Sequence, residues 1–318
     1  MKILFWGTPG FAVPTLKILH ESNHEILGVV TQPDRPKGRG RTLQPSPVKK
    51  YALEKGLQIF QPEKASDPQF ITGLYQLLSD IFVVIAYGQI LRKEVLEIPK
   101  WFCMNVHASL LPKYRGAAPI NRSILNGDIE TGITTMKMDE GMDTGDMLLK
   151  RIVPIFAEDD AVTLSEKLSK VGAEITLETL DLLEEGKLNL LPQDDSEATM
   201  APKLKKEEGL ISWGKSAESL HNQVRAYIAW PGAFTFFGAK RILIIKSKVI
   251  SGDESDEPGV VARISDYGIE VGTGNGRLVL KELKPEGKGV MSAQSFLRGN
   301  LISKGKRFLD SAIESSTN

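Results

Sequence analysis

Asn105 and His107 stand two residues apart in the run Cys-Met-Asn-Val-His that opens at Cys103. In a β-strand, side chains at i and i+2 share a face, so an amide and an imidazole are brought side by side. The amide donates through its NH2 group and the imidazole through a ring N–H when protonated; such donors suit a reaction in which an oxygen turns negative. Downstream, Asp143 in the acidic run 138–146 offers a carboxylate that can hold an imidazole charged or take up a proton. Taken alone, these residues also read as a satisfied polar pair at a sheet end and a solvated acidic loop. A calcium loop would need more oxygen ligands at a longer, defined spacing. With four histidines in the chain (His20, His24, His107, His221), a histidine-rich metal site is not expected.

The neighbouring sequence says how such a pair would be held. A turn follows at Ser109-Leu-Leu-Pro112, then Arg115-Gly116, then a helix start with Pro119 near its first position, where proline is tolerated. The pair then lies at the carboxyl end of a strand, where ligands gather in open α/β sheets. At the N-terminus a strand over 2–6 stops at Gly7-Thr-Pro-Gly10, and Phe11, Val13, Leu16 and Leu19 follow at helical spacing. The turn is Gly-x-x-Gly, not Gly-x-Gly-x-x-Gly, and no acid ends the next strand (26–31), so a nicotinamide dinucleotide is not expected.

Residues 32–50 hold four prolines and two glycines, which predicts little regular structure over most of the stretch. They also hold Arg35, Lys37, Arg39, Arg41, Lys49 and Lys50, with no acid after Asp34. A basic loop of this kind either neutralises backbone phosphates or is a solvated insertion, and the pattern alone does not choose. Helices are expected over 48–55 and 68–78. The run Ile81 to Ala86 reads as a strand buried on both faces, ending in a loop at Tyr87-Gly88-Gln89. Strands at 132–138 and 148–155 flank the acidic run, and a long helix over 163–185 closes a first domain. Beyond a helix at 217–227, short strands at 240–250, 258–265, 268–272 and 277–283 suggest a small barrel, with a polar, loosely held tail after Lys304.

A chain of 318 residues suggests two domains, placed at 1–188 and 205–318 with 189–204 as linker. Forty basic and forty acidic residues cancel, although 17 Lys/Arg against 13 Asp/Glu from Lys205 onward leave the second half mildly basic. The single cysteine excludes an internal disulfide and fits a reducing compartment. Cys103 reads as a small buried strand residue rather than a nucleophile. No apolar run approaches membrane-spanning length, so a soluble, cytoplasmic protein is expected.

Three segments together resemble the folate-dependent formyltransferases: Asn105-Val-His107 running into Ser109–Pro112 and Arg115-Gly-Ala-Ala-Pro-Ile; Met138 to Asp146; and Gln32 to Gly40. The likeness covers nearly the whole chain and thins after about Leu297, and the third segment resembles the branch that formylates methionyl-initiator tRNA. The resemblance implies an α/β fold, a Rossmann-like doubly wound sheet, followed by an OB-like C-terminal barrel that holds tRNA. It implies 10-formyltetrahydrofolate as formyl donor, no metal, and a monomer. Asn105, His107 and Asp143 would be catalytic. Ser109, Leu110, Leu111 and Pro112 would flank the folate, while the backbone of Tyr87, Gly88 and Gln89 would take its pterin-like head. Phe11 would line the acceptor pocket, and Arg35, Lys37, Arg39 and Arg41 would hold the tRNA. Arg115 would steady its turn or reach an anion. Met200 and Ile85 depart from the family's tyrosine and alanine. Two other readings compete: a formyltransferase for a sugar nucleotide or other small amine with the same three residues, and a non-catalytic RNA-binding module on the same scaffold. A small acceptor would have little use for the basic loop.

Overall fold

The computed structural model describes residues 1–37, 42–253 and 256–311. The first part of the chain alternates strands and helices: β1 (Lys2–Gly7), α1 (Val13–Glu21), β2 (Glu25–Val30), β3 (Arg35–Lys37), β4 (Thr42–Gln44), α2 (Pro47–Glu54), β5 (Ile59–Phe60), α3 (Pro68–Gln76), β6 (Ile81–Ile85), α4 (Lys93–Leu96) and β7 (Cys103–His107). Then come α5 (Pro119–Asn126), β8 (Glu130–Lys137), β9 (Met147–Pro154) and α6 (Ala161–Glu184). Helix starts follow local chemistry. Ser46 and Asp67 accept the backbone N–H of Lys49 and Phe70 as N-caps, and Pro47 and Pro68 open α2 and α3.

One seven-stranded sheet runs β5-β2-β1-β6-β7-β8-β9. The first five strands are parallel, and β8 and β9 continue the sheet antiparallel. Residues 3–6 of β1 and all of β6 are buried, as continuous apolar runs with helical crossovers require. The order reverses between β1 and β6, so the crevice at their carboxyl ends is where this architecture places ligands. Thr8 Oγ1, just past β1, donates to Tyr87 O, just past β6, at 2.9 Å.

The chain divides into two compact units whose sequences interleave. The first comprises Met1–Pro119, Glu130–Pro154 and Leu164–Ala201; the second takes Ile120–Ile129, Ile155–Thr163 and the described residues from Pro202 on. The boundaries expected from sequence, 1–188, 189–204 and 205–318, differ from this division at two places. Two internal segments leave the first stretch for the second unit, and residues 189–201 are not a free linker. Leu191 exchanges both backbone hydrogen bonds with Met147, and Thr199 and Ala201 bond to Arg115.

In the second unit α7 (Ala217–Ala226) is followed by β10 (Phe234–Phe237), β11 (Lys240–Ile250), β12 (Val261–Ser265), β13 (Gly268–Gly272), β14 (Arg277–Pro285), β15 (Met291–Ser292) and α8 (Ala293–Arg298). The strands form an antiparallel sheet in the order β10-β11-β14-β13-β12. Of the tail expected to be loosely held after Lys304, residues 305–309 instead join the two edges, and 312–318 lie outside the described residues. Leu309 exchanges hydrogen bonds with Phe236 beside β10, while Gly305, Lys306 and Phe308 bond to Val261 and Gly259 beside β12. With its edges bridged by these backbone bonds the sheet forms a small OB-like barrel, and Phe308, 1% exposed, packs on Trp213 and Phe237 in its core.

The proline-rich stretch 32–50 also holds more structure than expected. β3 and β4 pair as an isolated two-stranded ribbon, in which Pro36 needs no inner ladder bond, and α2 begins at Pro47.

Candidate active site

Asn105 and His107 lie on β7 as the strand period requires, opposite Met136 and Thr134 of β8. His107 is buried and Asn105 half-buried. Asp143, from the loop between β8 and β9, meets both. Its Oδ1 accepts from Asn105 Nδ2 at 3.2 Å, its Oδ2 accepts from Gly116 N at 2.8 Å, and the same Oδ2 lies 3.6 Å from His107 Nδ1. On the far side of the ring, His107 Nε2 and Tyr114 O are 2.9 Å apart. A carbonyl only accepts, so Nε2 carries a hydrogen, and Nδ1 is the ring nitrogen that faces Asp143.

The backbone around these groups is held in uncommon conformations. Ala86, Tyr114 and Asp143 all have positive φ, at 47°, 62° and 57°, and these three of the four such non-glycine residues described flank the site. Such conformations persist only where neighbours over-determine them, and they cluster at functional sites. Two glycines are required locally. A Cβ on Gly145 would stand 1.9 Å from Lys137 O, and one on Gly116, at φ 118°, would stand 2.9 Å from Ala201 O. Gly116 must stay close and left-handed to aim its N–H at Asp143.

A cavity of ≈ 280 Å³ opens beside Asp143. Its walls are Leu91, Met136, Met138 and Met142, with Gln89 and Asp139 as polar groups and the largely exposed Ile90 at its rim. Of the residues expected to meet the folate, Gln89 lines this cavity, and its side chain is tied back to Ala65 N and Glu63 O. Ser109, Leu110, Leu111, Pro112, Tyr87 and Gly88 are not part of its lining. Ser109 Oγ donates to Lys113 O, and Thr134 Oγ1 bridges Ser109 O and Leu111 N, so this turn is a fixed floor following β7. Tyr87 is buried against Trp6, and burial pushes its phenol up to about 12. Phe11 sits half-buried in a single turn before α1.

Arg115, for which sequence left two roles, is buried and engaged: Nε donates to Gln193 Oε1 at 3.0 Å and a terminal nitrogen pairs with Asp195 at 2.7 Å. It steadies its turn. Cys103 is buried beside Val95 O and Leu96 O, and burial pushes its thiol well above the usual range, which leaves it unreactive. Of the basic residues, Arg35 is exposed and reaches Gln32. Lys49 pairs with Asp34, and its hydrogen bond holds that carboxyl below the usual range. Arg39, Arg41 and the side chain of Lys37 lie outside the described residues.

Tyr114, Gln193 and Thr199 were not singled out from the sequence. Tyr114 acts through main-chain atoms and Thr199 through single bonds to distant residues, which carry no local signal, while Gln193 follows Pro192 in a stretch without periodicity. Away from the site, His24, Asp181 and Glu184 are the described group whose ligating atoms lie close enough for a metal ion. The Met1 ammonium already stands on Glu184 at 2.7 Å and 3.3 Å from His24 Nδ1.

An amide, an imidazole and a carboxylate converge at the end of β7. Residues 1–180 match the formyl transferase model and residues 203–301 match the formyl transferase C-terminal domain; the chain belongs to the formyl transferase family. It is 48% identical over 307 residues to the methionyl-tRNA formyltransferase of Geobacter sulfurreducens, covering 96% of each chain. The methionyl-tRNA formyltransferase of Thermodesulfovibrio yellowstonii is 50% identical over 303 residues, 95% of this chain and 97% of that one. Among solved structures, the sugar 3N-formyl transferase WlaRD, determined with dTDP and 5-N-formyl-THF, shares the fold with a TM-score of 0.65 at 20% identity, covering 91% of this chain and 99% of that one.

Proposed function

We propose that this protein transfers the formyl group of 10-formyltetrahydrofolate to the free amine of methionyl-initiator tRNA, and that Asn105, His107 and Asp143 perform the transfer. The observation that carries the reading is the placement of Asp143 between Asn105 Nδ2 and His107 Nδ1, in a chain 48% identical along 96% of its length to a methionyl-tRNA formyltransferase. The acceptor amine attacks the formyl carbon of the folate and forms a new C–N bond. The tetrahedral intermediate then collapses by breaking the bond to N10 of the folate, which takes up the proton that the amine loses and leaves as tetrahydrofolate. Asn105 gives one N–H to Asp143, and its second N–H has no hydrogen-bond partner among the described residues. That N–H and a protonated His107 Nδ1 donate to the formyl oxygen as it turns negative, each worth a few kcal/mol. Asp143, fixed by Gly116 N, accepts the proton lost by the amine, directly or through one water. No protein nucleophile is needed.

The cavity beside Asp143 suits the head of the folate. Its ≈ 280 Å³ holds a bicyclic heterocycle rather than the whole donor, and methionine and leucine walls with a few polar groups are what a flat ring needs. The backbone of Tyr87, Gly88 and Gln89 would orient that ring, and the turn Ser109–Pro112 would flank it. Phe11 would face the acceptor's methionyl group. Arg35, Lys37, Arg39 and Arg41 would contact tRNA phosphates, and the barrel unit would add nucleic-acid contacts. These roles make the first unit the formyl-transfer unit and the second a tRNA-binding one, acting as a monomer in the cytoplasm. Among the described residues no helix is long and apolar enough to cross a membrane.

The test is to incubate purified protein with 10-formyltetrahydrofolate and methionine-charged initiator tRNA, and to measure N-formylmethionine released from the tRNA. Neutralising Arg35, Arg39 and Arg41 should raise the tRNA KM and flatten its salt dependence by about 0.7–0.9 in log–log slope per lost phosphate contact. Transfer to an amino sugar nucleotide but not to tRNA would overturn the acceptor assignment.

A further inference from the structure

Residues 191–201 form a strap across the site in the first unit. Gln193 is its central side chain. Both of its amide hydrogens are used on the Asp143 loop, Nε2 donating to Asp143 O and to Gly145 O, each at 2.8 Å. Its Oε1 accepts from Arg115 Nε at 3.0 Å. Further along, Thr199 Oγ1 accepts from Tyr114 N at 2.9 Å and Thr199 O accepts from Arg115 N at 2.8 Å. The strap thus grips both sides of the His107 ring: the Tyr114 backbone, whose carbonyl holds Nε2, and the Asp143 loop, whose carboxylate faces Nδ1.

Asp143 is in the left-handed region, at φ 57°, and is followed at Gly145 by a backbone packed against Lys137 O. Gln193 is the side chain that holds two carbonyls of this loop, those of Asp143 and Gly145. We propose that Gln193 is a positioning residue for formyl transfer: its amide fixes the Asp143 turn so that the carboxylate stands against Asn105 and His107. This rests on the reading of the site as a formyl-transfer centre. A duller role exists for the same side chain, as a mere anchor for Arg115, and the two roles differ in chemistry. Positioning uses the two N–H donors; anchoring uses the oxygen.

Two variants separate them. Gln193→Ala removes both functions, whereas Gln193→Glu keeps an oxygen for Arg115 but has no donor for Asp143 O and Gly145 O. If the donors matter, both variants lower kcat about 10–100-fold, the size of loss that a misplacement near 1 Å produces. The KM values for folate and tRNA stay within about threefold. In an Asp143→Asn background, Gln193→Ala should add less than about a twofold further loss, because it acts through Asp143. Wild-type kcat in Gln193→Glu would overturn the proposal, as would a Gln193→Ala enzyme that unfolds earlier but turns over normally per folded molecule. A second readout needs no turnover. In ¹⁵N-histidine-labelled protein, Gln193→Ala should shift the His107 Nδ1 resonance while leaving that of His221 in place. If wild-type protein transfers no formyl group to tRNA, the function reading fails while this resonance still decides the positioning role. An unmoved His107 signal overturns the role whatever the acceptor.

Discussion

Asp143→Asn preserves shape and removes charge, and its consequences can be worked from three contacts. The carboxylate accepts from Asn105 Nδ2 at 3.2 Å and Gly116 N at 2.8 Å, and faces His107 Nδ1 at 3.6 Å. A carboxamide has one oxygen, so one of the two donors is left facing an NH2 group, at a cost of about 1–3 kcal/mol in stability. Loss of a proton acceptor costs about 10²–10⁴ in rate, equivalent to about 3–5.5 kcal/mol. Rapid-quench measurement of N-formylmethionine formation at saturating folate should therefore show kcat lowered by about 10²–10⁴. Chemical denaturation should show a loss of about 1–3 kcal/mol. Transfer within threefold of wild type would refute the assignment of Asp143 to the proton and charge of this reaction.

Two predictions concern the barrel unit. Phe308→Ala removes a ring that is 1% exposed and joins Trp213 and Phe237, so it should cost about 3–5 kcal/mol by denaturant titration; a loss under about 1 kcal/mol would mean that the tail does not close the barrel. His221 is hydrogen-bonded to Ser247 at 2.9 Å, and burial with the nearby Arg225 pushes its imidazole down to about 4. The folded state then binds this proton less readily than the unfolded state. The neutral ring's contribution is complete above about pH 6.5 and is lost as pH falls through about 4, amounting to about 2 kcal/mol once partial exposure is allowed for. Denaturation of wild type and His221→Asn across that window should converge at low pH; parallel curves would contradict the assignment.

Some of this was legible in the chain and some was not, for reasons that lie in particular residues. Residues 3–6 of β1 and all of β6 are unbroken apolar runs, and Ile81 to Ile85 reads as buried because it is. Asn105 and His107 follow from the two-residue strand period, and the Pro119 start from helix-end chemistry. Three features escaped. Residues 191–201 bond through backbone groups and single side chains to partners some fifty to eighty residues away, which leaves no periodicity to read. The barrel closure by 305–309 shows only one large buried apolar residue, Phe308, among Lys304, Lys306 and Arg307. Phe308 alone in that polar tail was the available signal. The interleaving of the two units follows from long-range packing of α5 and residues 155–163, which local pattern does not encode.

The most direct test is the single-turnover rate of formyl transfer in wild type and Asn105→Ala at saturating 10-formyltetrahydrofolate and methionyl-initiator tRNA. Removing a donor aimed at the developing oxyanion should slow the chemical step by about 10²–10³ while the protein still binds folate. An unchanged rate in Asn105→Ala would contradict the claim that Asn105, His107 and Asp143 form the centre where the formyl group moves.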